Sequence, residues 1–346
     1  MLDHPQEDIR RAAIDALCQF IVCLQLLNDD DSVRAAVLIF IPKLGEIIKN
    51  DEECQVVMGA LESYTELLKK VKGNAVFNED LKTTIFGCIS EVLNSKVACQ
   101  FNEQIGDEEQ EESEYDEALI EMAGDVLPRF GEALSPDEFA LYFGRIWPLL
   151  GAKIEKTRNN EDLSTQRSFA YGTLSECFRP LQGYTGTWFE QLLPLYLLGL
   201  QDENEQVRQN SVFGLGELVL FSEEKSYAKF PEILSALSAS VAQEEHPGTL
   251  DNICGALARL IMTNFKLIPL EQVLPVFVQQ LPLREDFDEN HSVFKCFQIL
   301  YTQGSEALLL VLDRVILVGL HVLYKNQYKD DGTFCYFIFP NFFLYL

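Results

Sequence analysis

Leu192–Leu220 reads LLPLYLLGLQDENEQVRQNSVFGLGELVL, and its pattern decides the fold. An apolar run carrying Pro194 is followed by an acidic turn, Asp202–Glu205, and then by a second segment that opens a helix at Val207 and Arg208. Asp202 suits the turn or the cap, because a short carboxylate accepts from the backbone amides left free at a helix start. Acids at that end also complement the positive pole of the helix dipole. The stretch therefore reads as two helices joined by a short polar turn.

The same template recurs along the chain. Small residues fall at Gly172, Gly214 and Ala256 in constant steps of 42. Ala16 and Ala60 stand 44 apart in the similar settings IRRAAIDALCQF and CQVVMGALESYTEL. Small side chains let neighbouring helices approach, and the flanking leucines fill the core. Pro42, Pro148, Pro194, Pro231 and Pro275 mark the apolar first helices; each removes one hydrogen bond and bends the axis. A period near forty with two helices per unit is the signature of HEAT repeats. The predicted fold is all-α, a HEAT-repeat (ARM/HEAT) superhelical solenoid over residues 1–325, with about six or seven helix pairs.

Hydrophobic residues make up 47% of the 346, enough for a continuous core. The formal net charge is -27, from 54 acids against 27 bases. Such a field repels nucleic acid and anionic membrane and attracts cationic partners. The nine cysteines are scattered and mostly embedded in apolar runs, without a histidine at metal-ligand spacing. They read as reduced, buried thiols with no zinc site, and no signal peptide precedes them. The apolar segment Ala307–Tyr324 is interrupted by Asp313, Arg314 and His321, so a buried helix is expected there rather than a membrane span. No nucleophile motif, phosphate loop or histidine cluster points to catalysis, and no cofactor or metal is implied.

Three constellations invite a binding role. QFNEQIGDEEQEESEYDEA, residues 100–118, includes Asp107, Glu108, Glu109, Glu111, Glu112 and Glu114 without one base. Like charges at this density repel, so a disordered acidic loop is expected, serving either as an attractor for basic segments or as a solubilising spacer. In the 42-residue register Ser168, Asn210 and Asn252 are equivalent. Such asparagines either clamp the backbone of an extended peptide or tie one repeat to the next. Glu285, Asp286, Asp288 and Glu289 follow Leu281-Pro282-Leu283 and, beside Asn252, form either a lysine pocket or the ordinary charge of a helix start.

The blocks VRQNSVFGLGEL, DNICGALARL and QLPLREDFDEN, with the acidic insertion before EYDEALIEMAGDVLP, resemble the importin-beta (karyopherin-beta) family, in the C-terminal region of its importin-four branch. The resemblance runs over residues 1–325. It implies a superhelical nuclear import receptor moving between cytoplasm and nucleus as a monomer. Basic cargo, core histones and ribosomal proteins, is expected on the concave surface, at Asn210, Asn252, Glu285, Asp286, Asp288 and Glu289. Nucleoporins are a further implied partner. Ran-GTP is expected only for a full-length member, because the chain starts past the family's N-terminal Ran-binding repeats. The tail DDGTFCYFIFPNFFLYL, within residues 326–346, matches no HEAT unit. The competing reading is a HEAT scaffold subunit that organises an enzyme or chromatin complex through apolar, salt-resistant surfaces.

Overall fold

The computed structural model describes residues 1–71, 77–100 and 109–328, and the aromatic tail from residue 329 lies outside them. The chain divides into two compact units. One comprises Met1–Asn159 with Arg179–Leu181, the other Asn160–Phe178 with the residues from Gln182 onward.

The first unit contains α1 (Glu7–Leu26), α2 (Asp30–Asn50), α3 (Cys54–Lys70), α4 (Glu79–Leu93), α5 (Glu109–Glu132) and α6 (Pro136–Thr157). A 3-10 turn at Ala98–Gln100 follows α4. Helices α2 and α3 pair, as do α4 and α5, while the second helices α1, α3 and α5 stack in a row. In the second unit α7 (Ser164–Leu181) precedes the pairs α8 (Phe189–Gly199) with α9 (Glu205–Ser222), α10 (Phe230–Gln243) with α11 (Pro247–Asn264), and α12 (Leu270–Gln279) with α13 (Asn290–Thr302). Helices α9, α11 and α13 form its second-helix row, and α14 (Glu306–Leu309) and α15 (Leu312–Tyr324) follow. Among the described residues there is no strand. Among the described residues five such pairs lie wholly within the units.

Helix starts follow local chemistry. Asn204, not Asp202, caps α9, its side chain accepting from Gln206 N and Val207 N at 3.0 and 3.2 Å. Asn78 does the same for α4 and Asp29 for α2. In α11 the ring of His246 accepts from Thr249 N, with Pro247 in the first turn. Pro42, Pro148, Pro194 and Pro275 sit inside first helices as expected. Pro231 does not; it lies in the first turn of α10, where a missing N–H leaves nothing unsatisfied. Of the loop expected over 100–118, residues 101–108 lie outside the described residues. Residues 109–118 are the opening turns of α5, where acids complement the helix dipole.

The 42-residue step of small residues is a packing device. A Cβ on Gly214 would stand 2.1 Å from Ser175 Oγ and 2.2 Å from Tyr196 Cε1, so the helices touch through this hydrogen atom. Tyr196 is fully buried beneath it, its hydroxyl 3.0 Å from Ser175 Oγ. Ala60 is buried as expected, but Ala16 is exposed, because among the described residues α1 has a second-helix neighbour, α3, on one side alone. The apolar segment 307–324 is split between α14 and α15, and among the described residues no helix is long and apolar enough to cross a membrane.

Gly214→Val drives two methyls into this contact and should destabilise the chain by about 3 kcal/mol or more. The test is the urea unfolding midpoint, compared with that of a valine placed at exposed Gly183, which has nothing within 4 Å of its Cβ position.

Candidate functional site

The heads of the second helices are tied to the turn of the next repeat by arginines. Arg10 of α1 makes a two-pronged pair with Asp51, at 2.8 and 2.9 Å, and its Nη1 donates to the carbonyls of His4 and Pro5. Arg208 of α9 pairs with Glu244 at 2.7 and 3.0 Å and donates to the carbonyls of Asp202 and Glu203. Arg167 of α7 pairs with Asp202 at 2.9 and 3.0 Å and donates to Asn160 O. Parallel N–H···O bonds of this kind are among the strongest a carboxylate makes. Burial raises the Glu244 carboxyl, but the Arg208 pair outweighs it and leaves Glu244 below its ordinary value.

Asp251 of α11 inverts the arrangement. Its Oδ2 accepts from the backbone N–H groups of Arg284, Glu285 and Asp286 at 2.8, 2.7 and 3.0 Å, so here the helix carries the acid and the turn supplies the donors. The carboxyl is fully buried, and that burial raises it against the three N–H bonds.

This scaffolding takes up several of the residues expected to meet cargo. Asn210 donates to Ser168 O and Oγ, both at 2.9 Å, and accepts from Gln206. Asn252 is buried and donates to Gly248 O and to Asp286 Oδ2. Of the two roles open to the asparagines, the repeat-to-repeat tie is the one occupied. Asn252 does stand beside the 285–289 acids, but Asp286 is engaged with it and Glu289 points inward. Only Glu285 and Asp288 of that set are exposed, with Asp286 half-buried. Of the acidic run, Asp107 and Glu108 lie outside the described residues, and Glu109, Glu111, Glu112 and Glu114 fall within α5.

Glu289 belongs to a buried triad that spacing alone did not expose. Arg259 donates through Nε to Glu217 Oε1 at 2.6 Å and through Nη1 to Glu289 Oε2 at 2.7 Å, and its guanidinium lies 5.1 Å from the Phe213 ring centroid. All three side chains are at most 5% exposed. Gly255 makes room, since a Cβ there would stand 1.9 Å from Glu289 Oε2. Burial raises the Glu289 carboxyl although Arg259 opposes it. The available signal was the register itself: Glu217 and Arg259 are 42 residues apart, the step already marked by the small residues.

Around buried Gly248 three repeats converge. Its Cβ position lies 3.1 Å from His246 Cε1, 3.2 Å from Gln209 Nε2 and 3.3 Å from Glu285 Oε2, and Glu205 approaches His246 Nε2 at 3.9 Å. The heads of α9 and α11 and the turn before α13 thus present Glu205 and Glu285 together, with Asp288 further along the same turn. The chemistry available is attraction of cations. Among the described residues no group of three or more histidines, cysteines and carboxylates is placed to hold a metal.

Comparison with known proteins fits this geometry. Residues 192–222, the α8–α9 unit, match the HEAT repeat family. The chain is 31% identical over 339 residues to importin-4 of Homo sapiens, which covers 96% of this chain and 31% of that protein. The chain is homologous to the importin-4 proteins. A probable importin subunit beta-4 of Schizosaccharomyces pombe is 29% identical over 222 residues, 63% of this chain and 20% of its own length. The chain thus spans about a third of the importin-4 relatives it matches. A crystal structure of the karyopherin Kap121p bound to RanGTP has a TM-score of 0.75 at 16% identity, covering 97% of this chain and 30% of that one. Kap121p bound to Nup53p gives 0.67 at 13%, covering 99% and 33%. At these identities the likeness is one of fold, a HEAT solenoid.

Arg259→Leu leaves two carboxylates buried without their cation and should cost about 3–5 kcal/mol, read from urea unfolding. Glu289→Gln keeps an acceptor for Arg259 while removing one charge. Because the folded carboxyl titrates above its ordinary value near 4.5, its stabilising contribution is full below that value and is lost as pH rises through the folded pKa. Relative to the parent, Glu289→Gln should therefore become progressively more stable from about pH 4.5 upward. Parallel stability–pH curves for the two proteins would remove Glu289 from the titrating set.

Proposed function

We propose that this chain is the cargo-binding, C-terminal part of a nuclear import receptor. It takes basic protein cargo of the core-histone and ribosomal-protein kind and shuttles between cytoplasm and nucleus. The observation that carries the reading is the acidic charge exposed at the second-helix heads. Arg10, Arg167, Arg208 and Arg259 are drawn into the scaffold by carboxylates, while Glu205, Glu285 and Asp288 remain exposed at the second-helix heads. The homology to importin-4 over 96% of the chain supports the transport role. The karyopherin Kap121p, solved with RanGTP and with Nup53p, supports nucleoporins and Ran-GTP as partners of the whole receptor. The reading describes a binding protein and not an enzyme.

In this reading a lysine- or arginine-rich segment is drawn in by the net charge of -27 and held at the rim formed by Glu205, Glu285 and Asp288. Asn252, Asp286 and Glu289 position that rim from below. Long-range attraction raises the association rate and is screened by salt.

Binding of a fluorescent histone-tail peptide, followed by anisotropy, should weaken at least about tenfold between 50 and 200 mM salt. Equal affinity at both would overturn the electrostatic mode. Glu285→Gln with Asp288→Asn should weaken binding several-fold, roughly 1 kcal/mol for rim charges, with no change in thermal midpoint; unchanged affinity removes this rim from the contact surface.

A further inference from the structure

The arginine ties are not uniform, and one of them is replaced by sulfur. Helices α1 and α3 run side by side with Arg11 hydrogen-bonded to Gln55, 44 residues on. In that step Arg10 falls on Cys54, the first residue of α3. Arg10 reaches forward to Asp51 in the turn of the next repeat. Cys54 reaches forward in the same sense: its Sγ lies 3.6 Å from the carbonyl oxygen of Cys99, in the 3-10 turn Ala98–Gln100 that packs on α3. That contact sets the Cys54 side chain against the residue that carries the second thiol.

We propose that Cys54 and Cys99 are a peroxide-responsive thiol pair that closes to a disulfide, turning this inter-repeat tie from a contact into a covalent bond. Cys54 is the attacking group. It is partly exposed, whereas Cys99 is buried, and it occupies a helix N-terminus, where the dipole favours a thiolate. Hydrogen bonding from the Cys99 thiol holds the Cys54 thiol below its ordinary value, against burial. Cys99 is pushed far above the ordinary value, first by that same pairing and then by burial.

The chemistry runs in two steps with hydrogen peroxide as oxidant. The Cys54 thiolate attacks one peroxide oxygen, the O–O bond breaks, and the leaving hydroxide takes up the proton that the thiol released, so that Cys54 sulfenic acid and water result. That step removes the Cys54 thiolate, the partner that held the Cys99 proton most strongly. Cys99 then loses its proton and attacks the Cys54 sulfur, and the S–O bond breaks to release a second water. Two thiols and one peroxide thus give one disulfide and two waters. The bond ties the head of α3 to the turn that immediately precedes the acid-rich run beginning at Glu103.

The test is peroxide treatment of the full chain, alkylation of the remaining thiols under denaturing conditions, and peptide mass mapping. The expected result is a Cys54–Cys99 linked peptide as the dominant disulfide, with loss of both alkylatable thiols and their return on reduction. Cys23 is exposed and serves as the internal control, oxidising without joining this pair. In Cys99→Ser the intermediate should persist as a Cys54 sulfenic acid labelled by a cyclic 1,3-dione. In Cys54→Ser the Cys99 thiol should remain fully alkylatable. Cys54 and Cys99 both alkylating fully at a dose that oxidises Cys23 overturns the proposal, as does a disulfide distribution in which Cys54 joins other cysteines as often as Cys99. The wild-type mapping decides the matter even where a serine variant folds poorly.

Discussion

At the head of α1, of α7 and of α9, one guanidinium holds two turns at once. Its fork closes on a carboxylate in the turn ahead, while its remaining nitrogen donates to carbonyls of the turn behind. A solenoid repeat touches its neighbours alone, so stability and pitch rest on such nearest-neighbour ties together with the packed core. The pairs are largely buried; Arg167 and Asp202 retain 3% and 10% of their exposure. They differ from exposed ion pairs, which contribute little, because both ends are satisfied by several directional bonds at once.

This use of charge explains how an acidic protein keeps its acids available. Each scaffold arginine is matched by a carboxylate at a fixed place in the repeat. Further acids stand exposed at the second-helix heads, among them Glu205, Glu285 and Asp288. Successive heads present acids at intervals set by helix packing, and under the proposed function that spacing is what a basic segment would read. The interior triad has a different consequence. Two glutamates share Arg259, and the uncompensated charge is tolerated through two short bonds, the Phe213 ring and the space left by Gly255.

The repeat was legible because it is written in composition along one dimension. Gly172, Gly214 and Ala256 mark where helices touch, and Pro42, Pro148, Pro194 and Pro275 mark the first helices. The site was less legible, because polar residues at a stripe's edge carry no sign of which way they face. Asn210 and Asn252 occupy the expected register, yet their amides serve Ser168, Gly248 and Asp286. Glu285 through Glu289 are contiguous in sequence but divide in space, since the 3-10 turn at Phe287–Glu289 rotates Glu289 inward. A run of charge reports the sum of its residues' surroundings; only the backbone path separates those that face water from those that face Arg259.

The ties also show how much chemical freedom one structural position allows. The requirement is a bond from the head of one second helix to the turn of the next repeat, and its polarity is not prescribed. Arginine to carboxylate satisfies it at Arg10, Arg167 and Arg208. Carboxylate to backbone N–H satisfies it at Asp251, with the donor and acceptor exchanged. At Cys54 a weakly polar thiol stands in the same place and meets the carbonyl of Cys99. A thiol contributes far less to cohesion than a forked ion pair, so this junction is held mainly by packing. A weak tie among the forked ones at Arg10, Arg167 and Arg208 is a position where a change in bonding has room to strengthen the junction.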